Sequence, residues 1–187
     1  MPLPIGHALA GIAMQQARPG FFFTNRWLDA FFFMFLANLP DGDFLPGMIL
    51  GRPNLYHHGI FHSPGAALAV ALIGAGLFSL WKRRFSATAA MIFLVFYCHL
   101  LLDFFARDLR APYGLPLLWP FSNRYFIAAR PIFINITRSQ QSHDFLASLF
   151  NRHNLGAALL EALILGGLAS AAVLLRYRAE KKLSAQR

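Results

Sequence analysis

The chain is a series of apolar blocks separated by short polar breaks, and it lacks the alternation of apolar and polar positions that marks half-buried strands, so the pattern predicts helices. Three blocks, residues 64–81, 86–106 and 155–175, pass the length test for crossing a bilayer, which takes about 20 mostly apolar residues. The first holds no acidic or basic residue, the second only His99 and Asp103, the third only Glu161. Two further blocks precede them. Residues 4–17 carry His7 alone, and residues 21–39 carry Arg26 and Asp29 amid seven phenylalanines; both read as shorter or tilted spans, or as helices lying in the membrane interface. Pro19 and Gly20 separate these two, Pro40, Gly42, Pro46 and Gly47 stop the second, and Ser63 before Pro64 is a capped helix start.

Residues 107–154 break the pattern. Pro112, Gly114, Pro116, Pro120 and Pro131 interrupt an aromatic, arginine-bearing stretch that reads as a structured loop outside the bilayer, with a short helix near residues 140–150. Trp119, Phe121, Tyr125 and Phe126 suit the headgroup zone. The expectation is an all-α, integral membrane bundle of about five helices: one membrane domain over residues 1–175, then a solvated, frayed basic tail over residues 176–187.

Composition sharpens that reading. Only 13% of the 187 residues are charged and 57% are hydrophobic, which excludes an ordinary soluble domain. The net charge of +9 would suggest nucleic acid, but the basic residues cluster beside apolar blocks, as at Lys82, Arg83 and Arg84, so no nucleic-acid partner is expected and the lipid bilayer is. Cys98 is the sole cysteine, which leaves histidine and carboxylate as the ligands for any metal. Met1 to Pro4 lack the basic start of a cleavable signal, so the first apolar block is expected to stay in the mature chain. Along a five-helix path, ten basic residues crowd one side in short turns and the tail, and seven spread over long loops on the other. The dense side should face the cytoplasm, placing the N-terminus and residues 107–154 outside.

On that path the ionisable residues of the apolar segments fall at one end. His7 lies near the start of the first helix, Asp41 and Asp43 after the second, His57 and His62 before the third, His99 and Asp103 toward the end of the fourth, and Glu161 near the start of the fifth. Four histidines and four carboxylates should therefore converge on one membrane face, the non-cytoplasmic one. His99 and Asp103, four apart, share a helix face; Gly42 lets Asp41 and Asp43 turn toward one region; His57 and His62 bracket Gly59. Imidazole with carboxylate suits zinc, manganese or iron rather than calcium, and eight groups suffice for one to three divalent ions, with zinc the expected metal. His58 is expected to point elsewhere, and His143 and His153 to be solvated. Arg124 is a candidate for binding an anionic substrate.

The order of motifs resembles the YdjM-like family of bacterial inner-membrane proteins. The resemblance rests on Gly6-His7-Ala8, Asn38-Leu39-Pro40-Asp41-Gly42-Asp43, His57-His58-Gly59-Ile60-Phe61-His62-Ser63, His99-Leu100-Leu101-Leu102-Asp103, and Leu118-Trp119-Pro120-Phe121-Ser122 with Arg124 and Tyr125-Phe126. His58 stands where the family usually has arginine, Phe61 where threonine is common, and glycines usual after the His-x-x-x-Asp motif are replaced by Phe104, Phe105, Ala106 and Arg107. The resemblance implies a multi-pass protein of the bacterial inner membrane and a metal-dependent hydrolase, with Trp119 and Arg124 on the substrate side. A remoter likeness to zinc-dependent phospholipase C implies phosphoester hydrolysis. On this reading metal-activated water attacks a phosphoester or lipid-like substrate, with Asp41 or Asp43 as general base. The rivals are a metal or proton transporter, which should line a path through the membrane although residues 64–81 and the far half of 155–175 are apolar, and a non-catalytic, metal-stabilised membrane protein.

Overall fold

The structure, a computed structural model, describes residues 1–185, without the side chains of Glu180, Leu183 and Ala185. Five longer helices carry the architecture: α1 (Pro4–Ala17), α2 (Arg26–Asn38), α4 (Pro64–Ser79), α5 (Phe85–Phe104) and α7 (Arg152–Ala185). Two short ones, α3 (Phe44–Ile49) and α6 (Ser142–Ser148), lie in the connections, and single 3₁₀ turns cover Leu39–Asp43 and Ile60–His62. Among the described residues there is no strand, only isolated bridges between Ala106 and Phe133 and between Leu115 and Phe126. The chain is all-helical, as its apolar blocks predict.

The helices pack in the order α7, α1, α2, α5, α4. Glu161 near the start of α7 meets Leu3 at the start of α1, and Arg176 donates to Gln16 Oε1 near the end of both, so these two helices run the same way. Small residues bring neighbours close. A Cβ on Gly11 would stand 2.7 Å from the Phe33 carbonyl of α2, and Ala67, Ala71 and Ala75, four apart on α4, are all fully buried. On α5 the buried face is Ile92, Val95, Phe96, His99, Leu100 and Asp103, an i, i+3, i+4 stripe that continues the apolar core straight into two ligand-type side chains. Outward faces are aliphatic and aromatic: Phe31 and Phe35 on α2, Leu72 and Ile73 on α4, Leu159 and Leu163 on α7 are exposed. Such faces are what lipid covers.

Two helices, Phe85–Phe104 and the Arg152–Ala179 part of α7, are long and apolar enough to cross a membrane. Helix α4 starts at Pro64 with Ser63 Oγ accepting from Ala66 N–H at 3.1 Å, the expected cap, and ends at Ser79. The second apolar block is corrected at its start: helix begins at Arg26, not Phe21. Buried Asp29 collects the N–H groups of Gly20, Phe22 and Phe23 at 2.8–3.1 Å together with Gln15 Nε2, and this local set replaces helical hydrogen bonds there. Asn25 then caps α2 through Trp27 and Leu28 N–H. The expected frayed tail is also corrected. Helix α7 continues to Ala185, because residues 168–182 contain neither proline nor glycine and are mostly good helix formers; Gln186 and Arg187 lie outside the described residues.

The 107–151 segment is irregular but tied down. Arg107 N–H donates to Phe133 O, Leu115 and Phe126 exchange both backbone hydrogen bonds, and the buried Asn154 side chain bonds Thr137 N and O and Leu149 O. Helix α6 falls where the short helix was expected.

Candidate metal centre

Each element delivers its ligand-type residue to the same end of the bundle. The first turn of α1 brings His7, the 3₁₀ turn after α2 brings Asp41 and Asp43, the loop before α4 brings His57, His58 and His62, and the last turn but one of α5 brings His99 and Asp103. His7, His62, His99 and Asp103 are at most 3% exposed.

The centre of the group is a ring of four atoms. His62 Nε2 and His99 Nε2 face each other at 3.2 Å. Asp103 Oδ2 stands 3.5 Å from the first and 3.2 Å from the second, and Asp41 Oδ1 stands 3.7 Å from both. The other ring nitrogen of each histidine is already committed. His99 Nδ1 is 2.7 Å from the Ala37 carbonyl and must donate to it. His62 Nδ1 lies at ion-pair distance, 2.8 Å, from Asp43 Oδ2, which favours a proton on Nδ1. With His62 neutral, both Nε2 atoms present lone pairs to one another and to two carboxylate oxygens, an arrangement that repels unless a proton on His62 or a metal cation sits among them.

A second set joins on. His57 Nδ1 donates to Asp43 Oδ1 at 3.0 Å and lies 3.9 Å from Asp41 Oδ1; its ring stacks on Phe44 with centroids 4.0 Å apart. Asp43 thus faces the Nδ1 atoms of both His57 and His62, the carboxylate–histidine pairing that orients imidazole ligands. Three groups have ligand atoms all within 4.8 Å of one another: Asp41, His62, His99 and Asp103; Asp41, Asp43, His57 and His62; and His57, His58 and His62. Both oxygens of Asp41 and of Asp103, and Nε2 of His57 and His58, are buried without a hydrogen-bond partner among the described residues. Orphaned buried acceptors of this kind are costly. The donor set fits a divalent cation of the imidazole and carboxylate class.

A proton on His62 Nε2 would meet the same demand: burial works against a charge on His62, yet Asp43, Asp103 and Asp41 together raise its pKa well above the ordinary histidine range. His57 is pushed well below that range by burial and by neighbouring His58 and His62. Burial also raises Asp43, while Asp41 stays low in spite of burial because of the facing His99 and His62.

Not every expected ligand takes the same place. His7 stacks on the His99 ring at 3.6 Å and puts Nε2 3.4 Å from Asp103 Oδ1, at the edge of the group. Glu161 is drawn aside: both its oxygens lie 3.0 Å from the Leu3 N–H, so it holds the start of α1 and belongs to none of the three groups. Arg124 is exposed, with its N–H on Ser122 Oγ, and Trp119 lies against Gly65 at the start of α4.

Three residues were missed in the sequence. His58, expected to point away, turns inward with Nε2 3.7 Å from Asp103 Oδ2 and Nδ1 3.1 Å from Asp108 Oδ2, because its φ of 60° swings the side chain back over the cluster. Asp108 accepts from His58, Gly114 N–H and Arg110 N–H, and although burial opposes it these bonds hold its carboxyl at about 2. Arg138 is brought beside them from 30 residues downstream. The repeated arginines of a proline-broken loop were the only signal.

With this geometry in view, the family assignment is direct. The chain matches the YdjM inner membrane protein family over residues 1–179. It belongs to that family. The match carries membership in an inner membrane protein family and does not extend to phospholipase C. Searches of characterised proteins and of solved structures returned no match.

Proposed function

We propose that this YdjM family member is a multi-pass, metal-dependent hydrolase of the bacterial inner membrane, with its site on the non-cytoplasmic face and a phosphoester of a lipid or lipid-like molecule as substrate. The observation that carries the metal is the convergence of His62 Nε2 and His99 Nε2, 3.2 Å apart, with the buried, unpartnered oxygens of Asp103 and Asp41. His62, His99, Asp103 and Asp41 would hold the first cation, and His57 and His58 offer free Nε2 atoms for a second, zinc being the leading candidate. The chemistry a divalent ion would supply there is a lowered pKa for a bound water and polarisation of the phosphoryl oxygen.

The chain's own residues do the rest. Asp41 Oδ1 faces the imidazoles, while its Oδ2 is buried and unpartnered, placed to accept the proton of the attacking water. Asp43 keeps the protons of His57 and His62 on Nδ1 and so aims their Nε2 atoms inward. A transporter finds less support. Among the described residues, the buried acids away from the cluster are Asp29 and Glu161, and both are satisfied by backbone N–H groups instead of lining a relay.

The test is metal analysis of the detergent-purified protein together with a panel of phosphodiester and phosphomonoester substrates. Bound zinc, manganese or iron and hydrolysis abolished by chelator are expected, with His99→Ala and Asp103→Ala each losing most of the metal and Glu161→Gln retaining it. Equal metal content in all three variants refutes the ligand set. Chelator-insensitive hydrolysis refutes the mechanism.

A further inference from the structure

Beside the cation cluster lies a cavity of about 300 Å³ that joins His57 and His58 to Asn54, Arg110 and Arg138, with the Asp108 carboxylate also in its wall. A smaller hollow of about 220 Å³ shares His58, Asp108 and the same two arginines. Arg138 is held in place: its Nε donates to Asn54 Oδ1 at 2.5 Å, and its guanidinium lies 5.1 Å from the Phe44 ring. Arg110 Nη2 donates to the Arg138 carbonyl at 2.6 Å, while its Nη1 is buried with no hydrogen-bond partner among the described residues.

Neither guanidinium forms an ion pair among the described residues. Asp108, which lines both hollows, spends Oδ2 on His58 and Gly114 and Oδ1 on the Arg110 backbone N–H. Burial and the neighbouring Arg110 bring Arg138 down only to about 10, so both side chains remain cations at neutral pH. The two guanidiniums share that cavity with one carboxylate whose oxygens are spent on other donors, and Arg110 Nη1 is left unused, so a bound anion would offset the cost of burying these like charges together. Arginine's planar fork matches phosphate oxygens, and such charge-assisted bonds are roughly twice as strong as neutral ones.

We infer that Arg110 and Arg138 form the anion-binding half of the site, taking a phosphate group in this cavity and presenting it to the His57 and His58 side of the cation cluster. The inference rests on the hydrolase reading and adds to it the residues that hold the substrate's phosphate. A lipid headgroup and a water-soluble ester share this chemistry.

The test uses the full-length protein in detergent and inorganic phosphate as probe, with affinity read by titration calorimetry and metal content measured on the same samples. Arg110→Gln and Arg138→Gln should each weaken phosphate binding by about tenfold or more, the loss of a charge-assisted hydrogen bond, with metal content unchanged. Arg130→Gln, an exposed arginine of the same loop, should bind as wild type. Because Arg138 also braces Asn54, Arg110→Gln decides the matter if Arg138→Gln does not fold. Displacement of phosphate by glycerol 3-phosphate or only by short-chain phosphatidic acid tells the two sources apart, and either supports the subsite. Wild-type affinity in Arg110→Gln, or no phosphate binding by the wild type, overturns it. A metal-free protein whose phosphate affinity still depends on Arg110 keeps the subsite and sinks the hydrolase reading; a metal-loaded protein indifferent to Arg110 does the reverse.

Discussion

Asp41 and Asp43 sit two residues apart on one 3₁₀ turn and do different things. Asp43 turns its two oxygens to the Nδ1 atoms of His57 and His62, at 3.0 and 2.8 Å, while Asp41 Oδ1 stands 3.7–3.9 Å from the ring nitrogens of His57, His62 and His99. The exchange to asparagine, which keeps shape and removes charge, should separate them. Asp43→Asn should weaken metal binding by about 10- to 100-fold, as loss of an orienting carboxylate typically does. Asp41→Asn should retain part of the metal but lose about 10² to 10⁴ in turnover, the usual worth of a general base. Metal titration and initial rates on the two purified variants check this, and full activity in both would make the turn an ordinary one. Glu161 shows the limit of counting acids in apolar helices: intramembrane carboxylates are costly and need partners, but a partner can be a backbone N–H such as that of Leu3.

At the scale of elements, close helix approach sets the site. The Gly11 Cα faces the Phe33 carbonyl and Ala37, and Ala37 in turn supplies the carbonyl that fixes the His99 ring. Gly11→Ala would put a Cβ 2.7 Å from the Phe33 oxygen, so α1 and α2 must separate. The expected outcome is a loss of about 1 to 3 kcal/mol, the cost of overpacking, together with weaker metal binding. Gly76→Ala on α4, where nothing lies within 4 Å, should be neutral or stabilising by up to about 1 kcal/mol. Melting temperatures of the two variants in one detergent compare them directly, and an unshifted Gly11→Ala would refute the packing argument.

For the whole molecule, the alternation of helix direction explains how residues from 7 to 103 meet. Helix starts and ends alternate between the two faces of the bundle, so the histidines and carboxylates at the start of α1, after α2, before α4 and at the end of α5 share one face. Which side of the membrane that face meets is a matter of charge: Arg83 and Arg84 lie in the short α4–α5 turn at the opposite end. In intact cells or spheroplasts, a cysteine placed near Ser122 should react with a membrane-impermeant reagent and one near Arg84 should not. The reverse pattern would move the site to the cytoplasmic side and leave the cluster intact.

Helix content, the end at which His7, Asp41, Asp43, His57, His62, His99 and Asp103 gather, and family membership are all legible in the sequence, because block length, spacing and motif order are local properties that the chain carries along its length. The roles inside the cluster are not. That Asp43 orients while Asp41 stands free, that His58 turns inward at φ 60°, that Glu161 is spent on Leu3, and that Arg110 and Arg138 meet at one cavity depend on contacts between residues up to 158 positions apart. No periodicity encodes such contacts. Burial decides them, because each polar group taken from water must find a partner, and only the folded arrangement says which one is within reach.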